Sequence, residues 1–426
     1  MSDLIIVGGG AAGMFAAVAA RFRAREQGVT DRDFQILLIE RNRRPGAKIS
    51  ISGGGKCNVT HDGDVRELMA KGFLRASEQR FLRHALYNFS NTDLRDLLCR
   101  CGVDTVVRED GHVFPSSGSA DDIVRACLQL LNEAGVRVVT QRRVIGIVCR
   151  KSGFAVQTSS GTSVAPRLII ATGGVSYPHT GSTGDGLDFA RACGHSIVPP
   201  SPALAPVFLE PAPRSELAGV SLRDVVLGVS GEGESHVFRG DLLFTHKGLS
   251  GPAVFSLSRD IADIMRRGSR PHVSIDLLPD CSVQELEAHM LRYASGGGGR
   301  YVRTFLREYR TVPAALIGRI LRQAGIGTEE KWGNLGKKAR RSLQEALKNY
   351  CPGRVQAVPL DAGEVSAGGV SLDEVNAKTM ESRRCCRLFF CGEVLDYCGE
   401  VGGFNLQAAW STGWLAGQSA GSSVSA

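Results

Sequence analysis

The feature that most constrains this chain lies at its start. Four apolar residues, Leu4–Val7, run straight into Gly8-Gly9-Gly10-Ala11-Ala12-Gly13 and then into an alanine-rich stretch of helical spacing reaching about residue 24. An unbroken apolar run of this length reads as a strand buried on both faces. A second apolar strand, at 34–39 and interrupted only by Gln35, ends in Glu40. Strand, glycine turn, helix, strand and terminal carboxylate make one βαβ unit, whose right-handed crossover sets the two strands parallel in one sheet. Glycine is needed at Gly8 for the tight bend, at Gly10 for close approach of a pyrophosphate and at Gly13 for packing of helix on strand. Free N–H groups at the helix start then meet the phosphates, and Glu40 suits the ribose hydroxyls. Dinucleotide contacts are therefore expected at Gly8, Gly10, Ala11, Ala12, Gly13, Glu40 and Arg41.

The αβ pattern continues, is interrupted, and returns. A basic, largely helical stretch covers 65–101, and another apolar strand at 167–171 runs into Thr172-Gly173-Gly174. Six of the sixteen prolines (Pro199, Pro200, Pro202, Pro206, Pro211, Pro213) then fall within fifteen residues, as expected where a chain leaves a domain. Beyond them, short alternating segments at 225–229 and 272–277 suggest a β subdomain, while 282–349 is helical in pattern, broken by Gly296 to Gly299. From about 355 the glycine-rich αβ character resumes, with a strand at 387–391 and a closing helix at 404–416. The expected organisation is a discontinuous nucleotide domain, 1–195 with 355–426, carrying a β-rich insertion at 196–280 and a basic helical one at 281–354.

Two further segments carry chemistry. Gly392-Glu393 follows a strand, Asp396 is close by, and Gly402-Gly403 opens a helix before Phe404 and Asn405. That is what a second approach to the same ligand requires, with carboxylates for a ribityl chain or ribose and a helix N-terminus for negative charge on a reduced flavin. Between Pro45 and Thr60 lie two cations, Lys48 and Lys56, the triplet Gly53-Gly54-Gly55, a thiol, Cys57, and an amide, Asn58. Such a loop can wrap a planar ring. No second G-x-G-x-x-G follows, so NADPH or NADH is expected to visit as a transient reductant rather than to own a domain.

Composition narrows the remainder. The twelve cysteines form no C-x-x-C pair, and neither Cys99/Cys101 nor Cys385/Cys386 has a metal spacing, so they read as reduced, buried thiols of a cytoplasmic protein with no metal site. The uncharged opening stretch contains four glycines and lacks a basic flank, which makes a poor signal peptide or membrane span. The net charge is +8, and residues 281–350 hold thirteen Lys or Arg against six Glu. With Tyr301, Tyr309, Trp332 and Tyr350 interleaved, that insertion is expected to meet phosphates and stack bases, with Arg303, Arg307, Lys337, Lys338 and Arg340 as the contacts to an RNA.

Long blocks add to these readings: GGGAAG, PGAKISISGGGKCNVT, ATGGVSYPHTGSTGDG (171–186), FTHKGLSGPAVFSLS (244–258), GGVSLDEVNAKTMES (368–382) and CGEVLDYCGEVGGFNLQAAWSTGWLAG (391–417). In this order and over nearly the whole chain they resemble the HI0933-like (BaiN/YhiN) family of FAD-dependent oxidoreductases. The resemblance implies an α/β fold, a Rossmann-like FAD-binding domain of the two-dinucleotide-binding type with a β-rich and a helical inserted subdomain. It implies FAD held by Gly8, Gly10, Gly13, Glu40, the Lys48–Asn58 loop including Gly54, Gly55 and Cys57, by Thr172 and Gly173, and by Gly392, Glu393, Asp396, Gly403, Phe404 and Asn405. Activities in the family range over reduction of conjugated steroid enones, oxidation of a small amine and reduction of a ribosomal uridine. A double bond conjugated to a carbonyl takes hydride at its β carbon and a proton at its α carbon. Cys57 and His246 are the expected proton donors. Three readings follow: a reductase of ribosomal RNA, a small-molecule enone reductase or amine oxidase, and a non-catalytic flavin-binding protein.

Overall fold

A computed structural model describes residues 2–213, 215–231, 233–296 and 298–422. Gly297, inside the expected glycine interruption, lies outside them. The chain forms two compact units, Met1–Ser201 with Glu364–Ala426, and Pro202–Gly363.

The first unit is built on five parallel strands, β1 (Leu4–Val7), β2 (Ile36–Ile39), β3 (Arg137–Val139), β4 (Arg167–Ile170) and β5 (Leu388–Phe390), in the order β5-β4-β1-β2-β3. Every residue of β1 and β2 is buried, as their unbroken apolar sequences require. The crossover from β1 to β2 is α1 (Ala11–Glu26), whose alanines let it bury nearly all round. Against α1 packs the last helix, α4 (Phe404–Gly421), by a stripe of glycines. A Cβ at Gly421 would stand 2.5 Å from the Ala20 carbonyl oxygen, and at Gly413 and Gly417 it would press still closer on those of Ala12 and Ala16. Here backbone touches backbone. Phe15 fills the flank against Trp410, their ring centroids 4.5 Å apart, and Phe89 stacks on Trp414 at 4.5 Å.

The proline-rich stretch is not the plain connection its composition suggests. Residues Ile197–Ala203 form a strand paired with Val365–Val370, so the structural boundaries fall at 201/202 and 363/364 rather than near 195 and 355. Proline cannot donate to a ladder, and a two-stranded sheet leaves each strand one unpaired edge, which spares every second residue of this segment from that loss.

In the second unit six antiparallel strands run in the order His272–Asp276, Ser221–Gly231, Glu234–Phe244, Gly248–Ser250, Val207–Glu210 and Arg354–Ala357. Helices Val283–Ser295, Ala314–Gln323 and Lys337–Lys348 do not form a separate body. Leu227 and Ile275 of the sheet share one core with Leu286, Phe305, Ile320 and Leu347 of the helical stretch.

Candidate active site

The glycine turn has the shape its sequence predicts. Gly8 takes a left-handed φ of 105°, and a side chain there would overlap the Ala171 carbonyl. A methyl on Gly13 would overlap the Gly8 carbonyl oxygen, which is why helix and turn pack so closely. Gly10 differs: a Cβ there meets nothing within 4 Å, leaving open space before the first turn of α1. That turn, with Ala11 and Ala12, carries neither an acidic residue nor a side-chain cap, so its N–H groups and positive dipole end face that space. Glu40 ends β2 buried, its carboxylate accepting from the Gly9 N–H at 2.7 Å and the Asn42 N–H at 2.7 Å. The acid is thus pinned under the turn, with lone pairs to spare for hydroxyl donors. Arg41 follows, donating to Thr183 Oγ1 at 2.7 Å.

Residues from the far end of the sequence join this turn. Gly392, just after β5, sits so close to α1 that a Cβ would lie 2.7 Å from the Ala12 methyl. Glu393 accepts from Lys48 Nζ at 2.7 Å, from Ser176 Oγ at 3.1 Å and from the Ser366 N–H at 2.9 Å, and Lys48 also donates to Ser176 Oγ at 2.7 Å. This half-buried pair is the charged centre of the site, and Ser176 and Ser366 are members that sequence reasoning missed. Ser176 lies within the glycine-rich block 171–186, whereas nothing marks Ser366, which reaches Glu393 only through the strand it sits on. Asp396 is half-buried on the same turn, its N–H donating to the Val370 carbonyl at 3.1 Å. Thr172, beyond the end of β4 and beside Gly173, buries a hydroxyl that has no hydrogen-bond partner among the described residues.

The loop expected to wrap a ring is a short helical segment, α2 (Ala47–Gly55), that breaks at Ser52 and unwinds through Gly53 and Gly54, with φ of 56° and 66°. Gly54 and Gly55 are exposed. Cys57 also holds a left-handed φ, 55°, and its side chain turns inward, fully buried in the apolar core. Burial pushes its thiol up to about 12, against a hydrogen bond from Ser52 that works the other way. Asn58 Oδ1 accepts from the Val113 N–H at 3.2 Å. At the start of α4, Gly403 caps the helix in left-handed conformation, Phe404 is buried and stacks on His61 at 4.6 Å, and Asn405 clamps Gly399 by accepting its N–H at 2.8 Å and donating to its carbonyl at 2.7 Å. His246 belongs to the second unit, exposed on the turn between strands Glu234–Phe244 and Gly248–Ser250.

The basic stretch of the second unit corrects one expectation. Trp332 and Tyr350 are 2% and 3% exposed and belong to the core, so these two rings cannot stack bases, while Tyr309 is half-buried against that core with its hydroxyl bonded to His289 Nδ1 at 2.6 Å. They are hydrophobic anchors of amphipathic helices, a role the same residue types and spacing also serve. Tyr301 is half-buried, with the Arg303 guanidinium 4.6 Å over its ring. Arg303 pairs with Glu329, and Arg340 donates to the Leu335 carbonyl at 2.6 Å. Arg307, Lys337 and Lys338 are exposed. The twelve cysteines are not uniformly buried either: Cys99, Cys149, Cys351 and Cys386 are exposed.

Open space before Gly10, an uncapped helix start, a buried carboxylate beneath the turn, an orphaned Thr172 hydroxyl and the Lys48–Glu393 pair fit a dinucleotide that carries a second, flavin end. This fold and site define a Rossmann-type flavoenzyme.

The sequence profile of the HI0933-like protein Rossmann domain matches residues 2–419, and the chain belongs to that family; it is an FAD-dependent oxidoreductase. It is 32% identical to the ribosomal RNA dihydrouridine synthase of Escherichia coli, over 98% of this chain and 97% of that one. It is 31% identical to the 3-dehydro-bile acid delta(4,6)-reductase of Clostridium scindens, over 99% of each. Among solved structures, the 3-ketosteroid delta1-dehydrogenase of Sterolibacterium denitrificans aligns over 98% of this chain and 99% of its own at a TM-score of 0.51 and 14% identity, a likeness of fold. Among the described residues no helix is long and apolar enough to cross a membrane.

Proposed function

We propose that the protein reduces a carbon–carbon double bond conjugated to a carbonyl, and that this bond is the C5=C6 of a uridine in ribosomal RNA. The observation that carries the reading is whole-length similarity to relatives whose two names share one chemistry, dihydrouridine formation and reduction of a steroid dienone. Bound reduced FAD supplies a hydride to the electron-poor β carbon. The chain does the rest. The N–H groups of the Gly8–Gly13 turn and the α1 dipole offset pyrophosphate charge, roughly 0.3–1 kcal/mol for each favourable interaction. Lys48, positioned by Glu393 and Ser176, holds a fixed positive charge beside the expected flavin end. A proton for the α carbon comes from a ring nitrogen of His246 or from Cys57 Sγ; the exposure of His246 and the complete burial of Cys57 favour the histidine. NADPH or NADH is the proposed electron donor, and the cytoplasm the proposed compartment.

RNA stands ahead of a metabolite because of where the charge sits: Arg307, Lys337 and Lys338 are exposed within a stretch of thirteen basic and six acidic residues. A small-molecule enone is the second reading, favoured by the equally complete match to the bile acid reductase. Mapping dihydrouridine in ribosomal RNA from a strain lacking the gene separates them. A uridine that stays unreduced in that strain, and is reduced when the purified enzyme and NADPH are added, supports the RNA reading; an unchanged RNA overturns it.

A further inference from the structure

Three cysteines far apart in sequence meet in the first unit. Cys149 lies on the strand Val144–Arg150, Cys193 caps the C-terminus of α3 (Asp185–Ala192), and Cys385 lies in the turn before β5. Cys149 Sγ is 3.2 Å from Cys193 Sγ and 3.8 Å from Cys385 Sγ, and all three thiols are free. Cys149 is exposed and the other two are half-buried. A disulfide needs about 2.05 Å between sulfurs, so a closure of roughly 1 to 2 Å would join either pair. Among the described residues no group of His, Cys, Asp or Glu side chains is set to hold a metal ion, so the chemistry open to this cluster is thiol chemistry.

The backbone around the three thiols is well anchored. The Cys385 N–H donates to Ser382 Oγ at 2.8 Å, and that hydroxyl also bonds the buried His195 ring at 2.8 Å, two residues beyond Cys193. Cys193 and Cys385 are thus each held within 4 Å of the Cys149 sulfur by the fold, and neither is part of the site that receives the dinucleotide.

We propose that Cys149, Cys193 and Cys385 form a hydroperoxide-responsive site that closes a reversible disulfide, Cys149 pairing with Cys193 and exchanging to Cys385. The Cys149 thiol gives up its proton and its sulfur attacks one peroxide oxygen; the O–O bond breaks, the departing hydroxide takes up that proton and leaves as water, and a sulfenic acid remains on Cys149. The Cys193 thiol attacks that sulfur, the S–O bond breaks, and the hydroxyl departs with the thiol proton as a second water. Two thiols are oxidised by two electrons and one peroxide is reduced to two waters. The Cys385 sulfur then attacks Cys149 Sγ as its thiol proton leaves, the bond to Cys193 breaks, that proton passes to the departing Cys193 sulfur, and the cross-link moves to the 382–387 turn. Burial, followed by the neighbouring Cys149 sulfur, pushes the Cys193 thiol up, so it waits protonated until Cys149 has been oxidised.

The test is peptide mapping of the holoenzyme, unreduced, after treatment with hydrogen peroxide and alkylation of the remaining thiols. A 149–193 or 149–385 linked peptide that dithiothreitol removes is expected, together with a rise in Tm of the oxidised form that Cys149→Ser abolishes. In Cys193→Ser the link should move wholly to 149–385. Wild-type enzyme that yields neither linked peptide, carries Cys149 only as a sulfinic acid, or links solely between chains would overturn the proposal, whatever the variants do.

Discussion

Replacing Gly417 by Ala tests whether the glycine stripe of α4 sets the position of the phosphate turn. In an open helix this exchange stabilises by about 0.5–1 kcal/mol, because alanine loses less backbone freedom on folding. On α4 the sign should reverse. Ordinary contact for a Cβ begins near 3.4 Å, yet at Gly421 the clearance to the Ala20 carbonyl oxygen is 2.5 Å, and at Gly417 the Ala16 carbonyl is closer still. Helices α1 and α4 must therefore separate by roughly 1 Å at that layer, loosening the Phe15–Trp410 and Phe89–Trp414 contacts beside it. Overpacking of this kind costs about 1–3 kcal/mol, which outweighs the propensity gain. The shift also reaches the ligand, because the next glycine up the stripe, Gly413, rests on Ala12 in the first turn of α1. A displacement worth about 1.4 kcal/mol there weakens FAD binding roughly tenfold. Gly318, on the helix Ala314–Gln323, has nothing within 4 Å of its missing Cβ and serves as the matched control. Thermal unfolding and FAD titration of the apoprotein should show G417A less stable and weaker in binding while G318A is slightly stabilised and binds FAD normally. If G417A were stabilised like G318A, with FAD affinity unchanged, the backbone-contact argument would fail.

Other outcomes follow from the site and the surface. Lys48→Met leaves Glu393 with only neutral donors and should weaken FAD binding roughly tenfold by titration, about 1.4 kcal/mol; unchanged affinity would remove the pair from the site. Reversing Arg307, Lys337 and Lys338 to Glu should lower the log–log salt dependence of RNA binding by about 0.7–0.9 for each phosphate no longer neutralised, while leaving the flavin absorbance intact, and an unaltered slope would place RNA elsewhere or nowhere. Single-turnover reoxidation of reduced flavin by substrate should slow in His246→Gln and stay normal in Cys57→Ala; the opposite pattern would give the proton to Cys57. Burial holds His61 and His195 below the ordinary histidine value, so the unfolded chain takes up these protons first and stability should drain away as pH falls below about 6.5. A urea midpoint equal at pH 5 and pH 7.5 would contradict that.

Much of the first unit was legible because its signals are local. Leu4–Val7, Gly8, Gly10, Gly13 and Glu40 act within one βαβ unit, and Gly8 and Gly13 have the steric reason their places in the motif demand, while Gly10 faces open space. What escaped was what depends on partners distant in sequence. The Lys48–Glu393 pair joins residues 345 apart, and Ser366 enters it only through tertiary pairing. The proline cluster at 199–213 has the composition of a linker, yet its first part forms a strand because Val365–Val370 comes alongside. Trp332 and Tyr350 carry the same letters whether they face nucleic acid or a core, and charge around them says nothing about which way the rings point. The thiol cluster left no trace in spacing, since Cys149, Cys193 and Cys385 meet only when three segments have folded.

The order in which the ribosome delivers these parts gives the α1–α4 contact a further meaning. The strand β1 and helix α1 are made first, yet β5, which completes the sheet, and α4, which seats α1, are made after the whole second unit. At synthesis rates of roughly 5–20 residues per second the stretch between Glu26 and Phe404 occupies about 20–75 s, a long time for an alanine-lined helix to wait with one side unclaimed. The second unit has its own core and can close in that interval. Capture of FAD therefore belongs to the end of translation, and a chain that stops short of residue 404 would carry an intact phosphate motif on a helix with nothing behind it.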